Sequence, residues 1–238
     1  LSVYGNIFQF PGTIGVTLRY EQIVCTIYVD TLADFAAVMP QHFFGKSMQS
    51  DLSHLPAFDA ILFDMDGTLI APLLDFAAIR AELGIAGDDG ILEALDRREP
   101  AQAKADHARL REIELKAAQR ATLLDGAAEL MENCRELAMP TALLTRNTRE
   151  AAAIVMAKFP VLRFDFIRCR EDGVIKPEPD GVLAAADALG VSSHRMLCVG
   201  DFKYDILAAR AAGAPSVLIT TSPNWREFSH LATATIHS

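Results

Sequence analysis

The sequence has few of the features that assign a protein to a class by composition alone. Its four cysteines, Cys25, Cys134, Cys169 and Cys198, are scattered and form no C-x-x-C pair. This spacing argues against a disulfide framework and against a metal site built from cysteines, so we expect reduced thiols. No stretch is apolar over the roughly 20 residues that a membrane-spanning helix needs. We therefore expect no contact with a membrane.

Positive charge is also scarce. The chain has 22 lysines and arginines against 31 aspartates and glutamates, which gives a formal net charge of −9. Broad nucleic-acid binding requires a basic face, so we expect no nucleic-acid partner, whereas a locally positive pocket for an anionic substrate is compatible with this balance. The first basic residue is Arg19, so the opening residues lack the charged start of a secretory signal. We expect a cytoplasmic protein.

What the chain does have is a regular pattern from Phe58 onward. Short, fully apolar runs alternate with alanine-rich helical stretches, which is typical of parallel strands covered on both faces. The order predicts an α/β fold with a doubly wound parallel sheet, whose strand-to-helix loops share one edge. The predicted strands are 60–63, 141–145, 164–169, 196–199 and 216–220, and the predicted helices are 126–137, 148–158, 179–189 and 203–212.

One charged, mostly helical segment interrupts the alternation at residues 72–125. Pro100 is placed to begin a long helix there, because its missing N–H costs nothing at the first helical position. The segment leaves from the tip of the first predicted strand, so we expect a small helical cap over the functional edge. The core then consists of residues 58–71 and 126–238.

Residues 1–57 form a separate segment without clear helical periodicity. Residues 23–29 have strand character. Met48 lies shortly before the regular pattern, so we expect residues 1–47 to be an extension that the core does not need. A chain starting at Met48 is therefore expected to fold and to keep its activity.

Two carboxylates follow the first predicted strand, in the run Asp64-Met65-Asp66-Gly67-Thr68. At positions i and i+2 of an extended backbone they point the same way, and they repel each other unless a cation or a proton intervenes. Oxygen ligands of this kind suit Mg²⁺, and Gly67 allows a turn that exposes backbone N–H groups to an anion. Taken alone, an Asp-x-Asp pair is also compatible with a simple turn.

Polar residues follow the other predicted strands as well. Thr145 ends the second strand, and Lys176 precedes a helix. Asp201 follows the strand at 196–199, with Asp205 one helical turn later. In a doubly wound sheet these positions meet at the same carboxyl edge. Because polar residues occur at the expected place in four separate loops, we do not interpret them as unrelated helix caps or solvated charges.

These four pieces resemble the four motifs of the haloacid dehalogenase (HAD) superfamily, in the same order. The resemblance covers about 58–221, and the insert is similar to the helical C1-type caps of phosphoglycolate phosphatase and β-phosphoglucomutase. The matching residues are Asp64-x-Asp66-Gly67-Thr68 for the first motif, Thr145 for the second, Lys176-Pro177 for the third and Gly200-Asp201-x-x-x-Asp205 for the fourth.

The resemblance implies a phosphatase that acts on a small phosphorylated metabolite with Mg²⁺ as cofactor. Asp64 is then the nucleophile that forms an aspartyl-phosphate, and Asp66 is the general acid and base. The metal would be held by Asp64, by the Asp66 carbonyl and by Asp201, with Asp205 in support. The phosphate-binding residues would be Thr145, Asn147, Lys176 and Gly67.

Alternatives stay open at this point. A phosphomutase of the β-phosphoglucomutase type would share all four motifs. A dehalogenase is disfavoured because such members lack the second carboxylate, here Asp66, and a non-catalytic interaction module is disfavoured because no motif carboxylate is lost. Arg146 could face either the substrate or solvent. The cap residues that could hold a second anionic group of the substrate are Arg97, Arg98, Lys104, His107, Arg109 and Arg111. Neither the substrate nor the oligomeric state follows from the sequence.

Overall fold

The computed structural model describes the backbone of residues 15–20 and 23–28, and residues 55–72, 74–86 and 90–236 in full. The first two ranges form an antiparallel pair of strands, β1 (Gly15–Tyr20) and β2 (Ile23–Tyr28). The expected strand character of residues 23–29 is thus found over Ile23–Tyr28. Most of the segment expected to be dispensable, 1–47, lies outside the described residues.

The core is a six-stranded parallel sheet with the strand order β5-β4-β3-β6-β7-β8. The first core strand, β3, lies at its centre, between β4 and β6. The predicted α/β class is confirmed. The core strands are β3 (Ala60–Phe63), β4 (Thr141–Leu144), β5 (Phe166–Arg168), β6 (Met196–Gly200), β7 (Ser216–Ile219) and β8 (Ala234–Ile236).

Seven α-helices lie within the described residues. Four of them coincide with the predicted helices to within a residue or two, and Pro100 does begin the long helix. The helices of the inserted segment, called the cap after its expected role, are α1 (Phe76–Glu82), α2 (Ile91–Asp96) and α3 (Pro100–Arg120), and the core helices are α4 (Ala127–Glu136), α5 (Arg149–Lys158), α6 (Asp180–Leu189) and α7 (Lys203–Ala211).

The two faces of the sheet are covered by two separate apolar clusters. Successive residues of β3 alternate between them, with Ile61 and Phe63 in one cluster and Ala60 and Leu62 in the other. Side chains of a strand point alternately to opposite faces, so a strand covered on both faces must be apolar at every position. This explains the continuous apolar runs of the sequence.

The cap has a small apolar cluster of its own, built from Ile79, Leu83, Leu92, Leu95 and Leu110. The middle of the long helix α3 contributes Leu110 to this cluster, whereas its last turn brings Ala118 into the main core. One helix is therefore fixed in both parts, which ties the cap to the sheet. Within the described residues no helix has both the length and the apolar character needed to cross a membrane.

Candidate active site

The carboxyl ends of the central strands bring the predicted site residues together. Asp64 follows β3, Thr145 follows β4 and Asp201 follows β6. The backbone N–H of Asp64 donates to the Val199 carbonyl of the neighbouring strand at 2.9 Å, which continues the parallel ladder to the start of the loop. The position of the first carboxylate is thereby fixed by the sheet itself.

Lys176 is the centre of the site. Its ammonium donates to Asp64 Oδ1 at 2.5 Å, to Asp205 Oδ1 at 2.6 Å and to the Leu144 carbonyl at 2.8 Å. Burial on its own would lower the pKa of Lys176, but the Asp205 and Asp64 carboxylates raise it above its ordinary value. The lysine therefore carries a permanent positive charge beside Asp64, with all three of its N–H donors engaged.

Three carboxylates surround this ammonium. Oxygen atoms of Asp64, Asp201 and Asp205 all lie within 4.8 Å of one another. Burial, together with the neighbouring Asp64 and Asp205 charges, raises the pKa of Asp201 to about 8. Burial also raises the pKa of Asp64 to about 7, although Lys176 opposes that shift. One lysine does not offset three carboxylates, and an all-oxygen donor set of this kind fits a hard divalent cation.

The Asp66 carboxylate has a different hydrogen-bond partner from these three. It accepts a hydrogen bond from the Asn147 amide, and burial raises its pKa to about 6 against that hydrogen bond. A carboxyl group with such a pKa can both give and take a proton near neutral pH. Asn147, which the sequence placed among the phosphate-binding residues, thus directs its amide to Asp66.

Gly67 lies in a turn, as expected. Its own N–H donates to the Ile70 carbonyl at 2.8 Å and closes that turn, and its expected contact with a phosphate stays a prediction. The residue has a φ of +73°, and a Cβ there would lie 2.1 Å from Asp201 Oδ2. Only glycine allows the backbone to approach Asp201 this closely.

The Thr145 hydroxyl remains able to donate into the site. Its oxygen accepts a hydrogen bond from the Asn147 N–H at 3.1 Å, and this bond does not use the hydroxyl hydrogen. The side chain is buried at the carboxyl end of β4. This geometry is compatible with the phosphate-binding role expected from the sequence.

Thr221 is a site residue that the sequence analysis missed. Its hydroxyl lies 2.5 Å from the Gly67 carbonyl and 3.2 Å from Asp201 Oδ2, so it joins the first motif to the fourth. Two consecutive threonines, 220–221, follow β7 at the same edge of the sheet. Polar residues directly after an apolar strand are the pattern that identified the other site residues, and it would have identified this one.

Two core arginines near the site are bound by cap glutamates. Arg146 donates to both Glu93 carboxylate oxygens, and Arg170 makes a bidentate pair with the buried Glu114. Arg146 therefore faces neither open solvent nor an empty substrate space. Four of the cap residues considered for a second substrate anion also have carboxylate partners: Arg98 contacts Asp106, His107 contacts Asp96, Arg109 contacts Glu82 and Glu112, and Arg111 contacts Glu150.

The raised pKa of Asp201 predicts an unusual dependence of stability on pH in the presence of a chelator. In the unfolded chain this carboxyl ionises near its ordinary 3.8, whereas in the folded protein it does so at about 8. The stability that the protonated Asp201 side chain contributes to the folded protein is thus lost as pH rises through about 8. Asp201→Asn should raise the free energy of unfolding at pH 8 by about 1–3 kcal/mol, with a smaller gain at pH 5.

The measurement is chemical unfolding of both proteins in EDTA at the two pH values. Asparagine keeps the shape of the side chain and can still accept from Thr221, so the comparison isolates the charge. A variant that is no more stable than the parent protein at pH 8 would contradict the picture of an under-compensated carboxylate.

Comparisons with known proteins agree with this geometry. A family model described as haloacid dehalogenase-like hydrolase matches residues 58–213. An uncharacterized hydrolase of Saccharomyces cerevisiae is 30% identical over 179 residues, which cover 73% of this chain and 82% of the yeast protein. A phosphoglycolate phosphatase of Shigella boydii is 26% identical over 209 residues, covering 70% of this chain and 83% of that protein.

A solved hydrolase from Pseudomonas syringae has the same fold, with a TM-score of 0.65 and 24% identity over 74% of this chain and 92% of that one. The matched region contains β3 with Asp64, β4 with Thr145, the Lys176 loop and β6 with Asp201. Four of the six core strands, the carboxylate group and the buried lysine thus lie in the part of the chain that the family shares. The chain belongs to the haloacid dehalogenase-like hydrolase family.

Proposed function

We propose that the protein is a Mg²⁺-dependent phosphatase that hydrolyses a small phosphorylated metabolite through an aspartyl-phosphate on Asp64. The observation that carries this proposal is the buried ammonium of Lys176 held between Asp64 and Asp205. A phosphate monoester is a dianion, so its approach to a carboxylate needs a fixed positive charge at that place. Similarity to a phosphoglycolate phosphatase supports the same class of reaction.

In the first step Asp64 would attack phosphorus in line with the ester bond. A bond forms between a carboxylate oxygen and phosphorus while the bond to the leaving oxygen breaks. The Lys176 charge, fixed beside Asp64, would stabilise the non-bridging oxygens, where the charge of the transition state is spread, and the Thr145 hydroxyl would donate to them. The leaving oxygen would take its proton from Asp66.

In the second step water would attack the phosphorus of the aspartyl-phosphate. Asp66, now ionised, would remove a proton from that water, and inorganic phosphate would leave as Asp64 is restored. The Asp66 carboxylate accepts from Asn147, whereas the Lys176 ammonium donates to Asp64 and Asp205. One residue would therefore act as the acid and then as the base.

The three clustered carboxylates supply the donors for the metal. Asp64 and Asp201 would bind it together with the Asp66 backbone carbonyl. Asp205 would act in support, because its two oxygens already accept from Lys176 and from the Phe202 N–H at 3.0 Å. A bound Mg²⁺ neutralises charge on the phosphate and on the carboxylates.

Asp64→Asn tests the nucleophile. The amide is nearly isosteric but does not attack phosphorus, so turnover should fall by at least about a thousandfold. Release of inorganic phosphate from a panel of phosphorylated metabolites is the measurement, with thermal unfolding as the control for folding. Substantial activity in a folded Asp64→Asn variant would refute the role of Asp64. Isomerised product without free phosphate would favour the mutase alternative.

Removal of divalent cations tests the metal. EDTA should abolish activity, and added Mg²⁺ should restore it. Ca²⁺ should inhibit, because its looser and higher coordination does not match the octahedral geometry that Mg²⁺ requires. Full activity in a buffer freed of divalent cations would contradict a metal at the three carboxylates.

A further inference from the structure

Arg146 lies at the meeting point of three catalytic segments and the cap. It directly follows Thr145, and its Nη1 donates to the backbone carbonyl of Lys176 at 2.8 Å. Its Nη2 donates to the two carboxylate oxygens of Glu93 at 2.7 and 2.9 Å. Its guanidinium carbon stacks on the Tyr204 ring, 4.4 Å from the centroid. One side chain, on the residue next to Thr145, therefore contacts the third and fourth motifs and cap helix α2.

The surroundings of this guanidinium are closely packed. Glu93 lies in the first turn of α2, and Tyr204 lies in the first turn of α7, directly before Asp205. Gly90 precedes α2, and a Cβ there would lie 1.8 Å from Glu93 Oε2 and 3.0 Å from the Tyr204 hydroxyl. A side chain at position 90 would therefore displace the Glu93 carboxylate from its present place.

The position of Lys176 depends on where its main chain lies. Lysine has a flexible four-carbon stem, so its carboxylate partners alone do not set the point from which the stem starts. Arg146 fixes the carbonyl of the same residue, and the preceding Ile175 packs against the apolar cluster of the cap. Cap and core therefore both hold the backbone of the Lys176 loop.

We propose that Arg146 is a positioning residue that acts through Lys176 and makes the placement of that ammonium depend on docking of the cap through Glu93. The proposal rests on the phosphatase function proposed above. Displacements of about 1 Å at a reacting centre can lower the rate about a hundredfold. A small shift of the Lys176 carbonyl, which Arg146 holds, should therefore change the rate strongly. The cap then influences the chemistry without contacting phosphate.

Arg146→Lys is the main test. Lysine keeps the charge but lacks the planar, forked donor set and the stacking surface, so it cannot hold Glu93, Tyr204 and the Lys176 carbonyl together. With p-nitrophenyl phosphate and Mg²⁺ we expect kcat to fall about tenfold or more and KM to change less than about threefold, as for an interaction realised in the transition state. Rates are divided by the concentration of folded protein.

Inhibition constants separate positioning from a general loss of structure. Orthovanadate mimics five-coordinate phosphorus, whereas inorganic phosphate resembles the ground state. A displaced Lys176 should weaken inhibition by vanadate roughly in proportion to the loss in kcat, with inhibition by phosphate nearly unchanged. Equal weakening of both inhibitors would contradict a role in placing Lys176.

A double-variant cycle tests the link to the cap. Glu93→Gln keeps the shape and one acceptor but removes the charge, and we expect kcat to fall about threefold. If Glu93 acts through Arg146, the same change in the Arg146→Lys background should have almost no further effect. Fully additive effects would contradict the link.

Glu150→Gln is the matched control, because it breaks the exposed cap–core ion pair with Arg111, which has no contact with Lys176. It should leave kcat within about twofold, as expected for an exposed pair. A kcat for Arg146→Lys within twofold of the parent protein, or an equal loss in Glu150→Gln, would overturn the inference. A parent protein without phosphatase activity would instead refute the proposed function, and the inference would fall with it.

Discussion

The contact on which the site depends is the buried ammonium of Lys176 between Asp64 and Asp205. Three carboxylates within 4.8 Å of one another would repel strongly without a neighbouring positive charge. The sheet fixes Asp64 and Asp201 at the ends of adjacent strands, so the charge must be brought to them from a loop. The Lys176 loop supplies this charge and also contacts the cap, so it links the geometry of the cap to that of the site.

The surplus of negative charge at the site has a second consequence. The pKa values of Asp64 and Asp201 are raised to about 7 and about 8 because folding buries these carboxylates beyond what Lys176 compensates. The proposed Mg²⁺ would offset this surplus, so that a phosphate dianion could approach the carboxylates. Without a cation we expect the surplus to cost stability, as like-charged groups held for function commonly do.

Much of the fold and of the site follows from the sequence, for identifiable physical reasons. Strands covered on both faces must be continuously apolar, so five of the six core strands were predicted, and polar residues at their ends predicted the site. The sixth, β8, is three residues long with polar neighbours, too short for a pattern. Contacts between residues far apart in the sequence were not predictable: the Arg146–Glu93 pair spans 53 positions.

The most direct test of the central claim is to trap the phosphorylated enzyme. Asp66→Asn removes the group that deprotonates water, so an aspartyl-phosphate formed from a reactive phosphate ester should persist long enough for proteolysis and mass spectrometry. The account predicts phosphate on the peptide that contains Asp64, and none after the further change Asp64→Asn. Phosphate on another residue, or its continued presence in the Asp64→Asn protein, would contradict it.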